Sequence, residues 1–127
     1  MGYTNYWYRT SKPITQEFVE AVKEVFEKCK NMGIILRDGW GENEPIADLE
    51  RIDFNGNAET ELDHENFVMI NIPEEDNNAF CFCKTACKPY DYAVKEVLKI
   101  AEKMELVTDV SDDGFVEITT DAEWLNG

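Results

Sequence analysis

The residues best suited to chemistry are concentrated in the segment 82–91, FCKTACKPYD, which has the pattern of a strand end running into a helix. A helix N-terminus presents free backbone N–H groups and the positive end of the helix dipole, and both favour a phosphate or a carboxylate. Lys84 and Lys88 would add charge, Thr85 a hydroxyl and Tyr90 a flat ring. The segment therefore predicts an anion site. The same residues also suit a structural role, with Thr85 capping the turn and the lysines in solvent.

A second group of suitable residues lies in the aromatic segment 3–10, which is predicted to be a strand. If this strand lies beside residues 79–83, its aromatic rings and its arginine join the cations of the first segment. Aromatic faces beside cations are what a ligand with a base and a phosphate requires. Alternation along a strand, however, directs about half of these side chains to the core. The predicted ligand-binding residues are Tyr6, Trp7, Tyr8, Arg9, Lys84, Thr85, Lys88 and Tyr90.

Charge is unevenly distributed along the 127 residues, whose net charge is −15. The windows 1–16 and 77–90 contain four cations and no carboxylate, so they carry +4 while the rest carries −19. Sequence-independent nucleic-acid binding over most of the surface is disfavoured, because phosphate backbones require lysine and arginine. The acidic remainder is compatible with a protein partner that has a basic surface.

The cysteines and the histidine offer weaker alternatives. Cys81, Cys83 and Cys87 lack the Cys-x2-Cys spacing of a zinc site, and the only histidine, His64, is distant in sequence. Strand alternation would place Cys81 and Cys83 on one face and the phenylalanines 80 and 82 on the other. Buried, reduced thiols are favoured over a metal site or a Cys–His pair.

Two acidic patterns in the sequence have some features of metal sites. Asp109-x-Ser111-x-Asp113-Gly114 begins like a calcium loop, but Thr120 stands where the closing glutamate would be, so a turn is the better interpretation. The carboxylates of the segment 59–65 are typical of a solvated edge. We therefore predict no catalytic residues, no metal and no cofactor.

The elements that position these residues indicate a single α+β domain over residues 1–127: a mainly antiparallel sheet with two long helices on one face, in two layers. Helices are predicted after Thr15, ending at Gly33, and from Pro89 to Met104. Further strands are predicted over 34–36, 49–54 (at a sheet edge), 67–72, 79–83, 107–110 and 115–119, with an acidic loop over 73–78 and a closing helical turn over 121–125. The strands 67–72 and 79–83 are expected to form a hairpin. Neither a signal peptide nor a membrane span is predicted.

Several motifs resemble those of a family of small bacteriophage and prophage proteins: MGYTNYW (1–7), FNG (54–56), HENF (64–67) and CKTACKPYD (83–91). The family usually has histidine in place of Asn5, threonine in place of Asn66 and arginine in place of Cys87. The last difference removes one cation from the predicted anion site. The resemblance covers the chain up to about the second helix. It implies a phage setting and the cytosol of an infected bacterium, and it implies no particular activity.

These expectations favour a non-enzymatic protein that binds an anionic, nucleotide-like ligand and sequesters a cyclic-oligonucleotide or ADP-ribose-type immune signal. The first alternative is an acidic interaction protein that mimics DNA or inhibits a basic host defence protein through Glu59, Glu61, Asp63 and Glu65. A metal-dependent hydrolase of such a nucleotide is the second. A homo-oligomer is compatible with the aromatic content, and the sequence leaves the oligomeric state open.

Overall fold

A computed structural model describes residues 2–71 and 79–127. Its helices and strands, in chain order, are β1 (Thr4–Arg9), α1 (Gln16–Met32), β2 (Ile46–Ala47), β3 (Arg51–Phe54), β4 (Phe67–Ile70), β5 (Ala79–Lys84), α2 (Asp91–Lys103), β6 (Val107–Asp112) and α3 (Asp121–Asn126), with a 3-10 helix at Ala58–Thr60. The acidic loop predicted over 73–78 and the end of the strand predicted at Ile72 lie outside the described residues.

Within residues 2–71 and 79–127, the strands form two antiparallel sheets of three strands each. The first sheet has the order β5-β1-β6 and the second has the order β2-β3-β4. The α+β class, the antiparallel strands and the two long helices predicted from the sequence are confirmed. The strands are, however, divided between two sheets rather than joined in one.

Helix α1 forms where apolar residues recur at helical spacing, and its two ends are defined by specific contacts. The Thr15 hydroxyl accepts a hydrogen bond from the backbone N–H of Phe18 at 3.2 Å, which caps the N-terminus. Gly33 ends the helix with a φ of 88°, a conformation that glycine adopts without steric cost. Within the described residues, no helix has an apolar stretch long enough to cross a bilayer.

A chain of aromatic rings joins the two sheets and α1 into one core. Trp7 of β1 packs against Phe67 of β4 with ring centroids 5.2 Å apart, and Phe67 packs against Phe54 of β3 at 5.1 Å. Phe54 then meets the edge of Phe26 of α1 at 5.4 Å. Burying each such ring contributes about 2 kcal/mol, so these contacts fix the first sheet against the rest of the molecule.

The prediction that the strands 67–72 and 79–83 form a hairpin is wrong. Strand β4 pairs with β3, whereas β5 pairs with β1 in the other sheet, with Trp7 opposite Cys81. The local pattern gives each strand correctly but does not specify its partner, because β pairing depends on which apolar faces meet in the core. The structure thus meets the condition set for the two segments of the predicted ligand site, that the first strand lies beside residues 79–83.

Three further strand predictions require correction. The predicted edge strand over 49–54 is β3, and it is the central strand of the second sheet. Residues 34–36 form no strand, since the N–H of Ile34 bonds to the carbonyl of Cys29 at the helix end and that of Ile35 bonds to the Asp121 carboxylate. Residues 115–119 also form no strand, and Phe115 is 93% exposed. The chain leaves the first sheet after β6.

Candidate ligand-binding surface

The predicted anion site at the start of α2 is filled by a carboxylate of the chain itself. Asp91, 2% exposed, lies in the first helical turn. Its Oδ1 accepts hydrogen bonds from the Thr85 hydroxyl at 2.6 Å and from the Asn5 amide at 2.8 Å. Its Oδ2 lies 3.5 Å from the Lys95 ammonium. The Thr85 hydroxyl is therefore engaged by an internal anion, and the first N–H groups of α2, from Asp91 to Val94, already bond to the backbone carbonyls of residues 88–90.

Lys95 connects this carboxylate to the first sheet. Its Nζ donates to the Tyr3 hydroxyl at 2.8 Å, to Asn5 Oδ1 at 2.6 Å and to Asp112 Oδ2 at 3.1 Å. Burial alone would lower the pKa of Lys95, but the hydrogen bonds and the neighbouring carboxylates outweigh it and raise the pKa above its ordinary value. The charged ammonium is thus part of the folded structure. Lys95 was not among the residues predicted from the sequence, because no motif links it to β1.

The Lys88 ammonium is also hydrogen-bonded within the protein. Its Nζ donates to the backbone carbonyls of Glu61 at 2.9 Å and Asp63 at 2.8 Å. The turn that carries it is closed by a hydrogen bond from the Lys88 N–H to the Thr85 carbonyl at 3.1 Å. Ala86 and Cys87, the two central residues of this turn, have positive φ values of 55° and 60°. This lysine ties the turn to the acidic segment before β4.

Tyr90 and Trp7, predicted as stacking residues, lie in the core with exposures of 1% and 2%. The Tyr90 hydroxyl donates to the carbonyl of Glu65 at 2.5 Å and also to that of Lys84 at 3.3 Å. Burial raises the pKa of this hydroxyl well above its ordinary value. Neither ring presents a face to a ligand in this conformation.

Arg9 is a buried structural cation, 4% exposed. Among the described residues, the acceptors of its guanidinium are all backbone carbonyls, and burial lowers the pKa of Arg9. The acceptors belong to Thr10, Lys12, Ile70, Asn71 and Leu106, at distances between 2.7 and 3.2 Å. Arg9 thereby links β1 to the end of the second sheet and to the start of β6.

The remaining predicted residues, Tyr6, Tyr8 and Lys84, lie on the outer surface of the first sheet, where Phe80 and Phe82 join them. We call these five residues the aromatic face. Tyr6 and Tyr8 lie against Phe80 with ring centroids 6.2 and 5.3 Å apart, and Phe80 lies 6.1 Å from Phe82. Phe80 and Phe82 are 54% and 48% exposed. The predicted strand alternation, with these two phenylalanines on the face opposite the cysteines, is confirmed, but the phenylalanines were not among the predicted ligand-binding residues.

Lys84 supplies the positive charge of the aromatic face. It is exposed, and its Nζ lies 5.7 Å from the centre of the Phe82 ring. The position of its backbone is fixed by a hydrogen bond from its N–H to the Glu65 carboxylate at 2.9 Å. The Tyr6 hydroxyl donates to Asp113 Oδ1 at 3.0 Å, which sets the orientation of that ring. Flat rings and a cation are thus presented on a rigid strand pair.

The cysteines and the calcium-like pattern, the other residues that could react or bind a metal, do not form a common site among the described residues. Cys29 and Cys83 are fully buried, and burial raises the pKa of Cys29 to about 12. The residues of the calcium-like pattern belong to β6 and the bend after it. Among residues 2–71 and 79–127, no group of three or more histidine, cysteine, aspartate or glutamate side chains is arranged to hold a metal ion.

Comparison with protein-family models, curated proteins and solved structures finds no match to this chain.

Proposed function

We propose that this protein is a non-enzymatic binder of an anionic, nucleotide-like ligand, and that it holds the ligand on the aromatic face. The observation that carries the proposal is the contact series of rings formed by Tyr6, Tyr8, Phe80 and Phe82, in which Tyr6 is half-buried and the other three are exposed. Stacking of a base on an exposed aromatic ring contributes about 1–3 kcal/mol. A sheet is a suitable support, because its backbone keeps the rings in place before the ligand arrives.

Lys84 is the residue that would pair with the phosphate of such a ligand. It lies at the end of β5 beside Phe82, so a base on the rings would leave its phosphate near the ammonium. The other cations predicted for this role, Arg9 and Lys88, are already bonded to backbone carbonyls. Among the described residues of the aromatic face, Lys84 is the one cation, which supports a ligand with few phosphates rather than a long nucleic acid.

The specific form of the proposal is sequestration of a cyclic-oligonucleotide or ADP-ribose-type signal that counters bacterial defence. This form rests on the resemblance to phage proteins. A protein that sequesters a signal requires tight binding and no turnover, so the bound ligand should be recovered intact.

The test is a calorimetric titration of the protein with cyclic dinucleotides, cyclic trinucleotides and ADP-ribose. Phe80→Ser and Lys84→Gln should each weaken binding by about tenfold or more. Phe115→Ser is the matched control, because Phe115 is 93% exposed and does not belong to the aromatic face. Equal affinities in the Phe80→Ser and unmodified proteins would refute the proposed surface, and recovery of a cleaved ligand would indicate an enzyme.

A second candidate function is an acidic interaction protein, which is favoured by the net charge of −15. Within its proposed surface, Glu59 and Glu61 are exposed, whereas Glu65 accepts a hydrogen bond from the Lys84 backbone. The variant Glu59→Gln/Glu61→Gln separates the two functions. It should abolish binding to a basic partner protein if this candidate is right, and it should leave nucleotide binding unchanged if the aromatic face is the functional surface.

A further inference from the structure

A cavity of about 450 Å³ lies between α1 and the segments 34–37 and 44–45, and no residue of the aromatic face lines it. Its walls include Phe26, Ile35 and Pro45. Ile35 is 40% exposed although its neighbours Ile34 and Leu36 are buried. The cavity therefore presents apolar surface to solvent, and its volume lies in the range of small-molecule sites.

The apolar surface of this cavity is held in place by the core. The Phe26 ring meets Phe54 edge-on, with an interplanar angle of 74°. Ile34, 1% exposed, is fixed at the end of α1 by the hydrogen bond from its N–H to the Cys29 carbonyl at 2.8 Å. A ligand would therefore meet a site whose shape already exists, which lowers the entropy lost on binding.

The charged residues that line the cavity have a net charge opposite in sign to that of the whole chain. Lys23, Lys30 and Arg37 line it together with Glu27 and Glu44, so the lining carries +1 in a chain whose net charge is −15. Lys23 and Lys30 are exposed, and neither forms a salt bridge with any residue that the structure describes. Three cations beside apolar walls are suited to a negatively charged group.

Arg37 forms a salt bridge with Glu44, and a ligand anion can take the place of that glutamate. Its Nη1 lies 3.3 Å from Glu44 Oε2, and the Glu44 side chain is 89% exposed. Such an exposed pair contributes little to stability, so exchange of the glutamate for a ligand anion costs little. The guanidinium also presents parallel N–H groups that match a carboxylate, a sulfonate or a phosphate.

We propose that this cavity binds a small organic anion, in which a carboxylate, sulfonate or phosphate is carried on an apolar, ring-containing body. The apolar body lies against Phe26, Ile35 and Pro45, and the anionic group faces Lys23, Lys30 and Arg37. This site is separate from the aromatic face and does not depend on the function proposed there.

The experiment is a fluorescence titration with 1-anilinonaphthalene-8-sulfonate, which has an apolar two-ring body and one sulfonate. Lys23→Gln/Lys30→Gln should raise its dissociation constant about tenfold, since each exposed charge contributes about two- to fivefold. Lys99→Gln/Lys103→Gln is the matched control: it removes two exposed lysines of α2, changes the net charge equally and should leave the affinity unchanged. N-phenyl-1-naphthylamine, which lacks the sulfonate, should bind both variants equally.

Three results would overturn the proposal. The first is no saturable binding of the sulfonate probe by the unmodified protein. The second is an equal loss of affinity in the two double variants, which would reflect net charge rather than this cavity. The third is a loss in Phe80→Ser as large as that in Lys23→Gln/Lys30→Gln, which would assign the probe to the aromatic face.

Discussion

Lys84 and Lys88 are four residues apart in the sequence, yet their ammonium groups have different partners. Lys88 donates to the carbonyls of Glu61 and Asp63, while Lys84 extends over the Phe82 ring at the surface. The first lysine therefore contributes to stability, and the second is available to a ligand. Their sequence context is alike, so only the structure separates the two roles.

Lys88→Met should lower the free energy of unfolding by about 2 kcal/mol, because it leaves two backbone carbonyls without their charged donor. Lys84→Met should change it by less than about 0.5 kcal/mol, because that side chain is exposed. Urea unfolding followed by circular dichroism measures both values. Equal effects of the two substitutions would contradict the assignment.

Lys95→Met should lower the free energy of unfolding by about 3 kcal/mol at pH 7, because it leaves the buried carboxylate of Asp91 without its cation. The folded-state pKa of Lys95 is raised above 10.5, so its contribution is fully present below about pH 10.5 and is lost as the pH rises through the folded-state value. The difference in unfolding free energy between the unmodified and Lys95→Met proteins should therefore shrink in strongly alkaline solution.

Urea unfolding of both proteins between pH 7 and pH 11.5 measures this difference. Lys99→Met, a change at a lysine whose side chain is 75% exposed, is the control and should show little effect at any pH. A difference that stays constant over the whole range would contradict the pKa shift of Lys95.

At the scale of elements, the sequence predicts the two long helices closely because the relevant signals are local. Thr15, Gly33 and the spacing of the apolar residues determine α1. The pairing of strands is not a local property, and β5 was therefore assigned to the wrong neighbour. The inward orientation of Trp7 and Tyr90 likewise depends on the second sheet and α1, which no short motif encodes.

The turn between β5 and α2 gives a prediction at this scale. Ala86 has a φ of 55°, which costs a residue with a Cβ atom about 1–2 kcal/mol. Ala86→Gly should therefore raise the free energy of unfolding by about 0.5 kcal/mol, after the greater flexibility of glycine in the unfolded chain is included. Ala21→Gly, within α1, should instead lower it by about 1 kcal/mol. Thermal unfolding measures both, and a loss of stability in Ala86→Gly would contradict the turn geometry.

At the scale of the whole molecule, the acid-free windows of the sequence come together, as β1 and β5 pair along their length. Their cations are nevertheless divided between the interior and the surface. The two segments that share this charge pattern are therefore neighbours in the fold, but the pattern does not show which of their side chains a ligand can reach. That distinction requires the alternation of the strands and the position of the core.

NMR mapping of a nucleotide on the isotope-labelled protein tests most directly whether the aromatic face is the binding surface. Titration with a cyclic dinucleotide should shift the ring signals of Tyr6, Tyr8, Phe80 and Phe82, together with the signals around Lys84. The amides of 86–88 and the start of α2 should move little, because the first N–H groups of that helix already bond to backbone carbonyls and Thr85 already bonds to Asp91. Shifts centred on 86–91, with the signals of the aromatic face unchanged, would contradict the proposed binding surface. They would indicate that the ligand binds at the helix N-terminus instead.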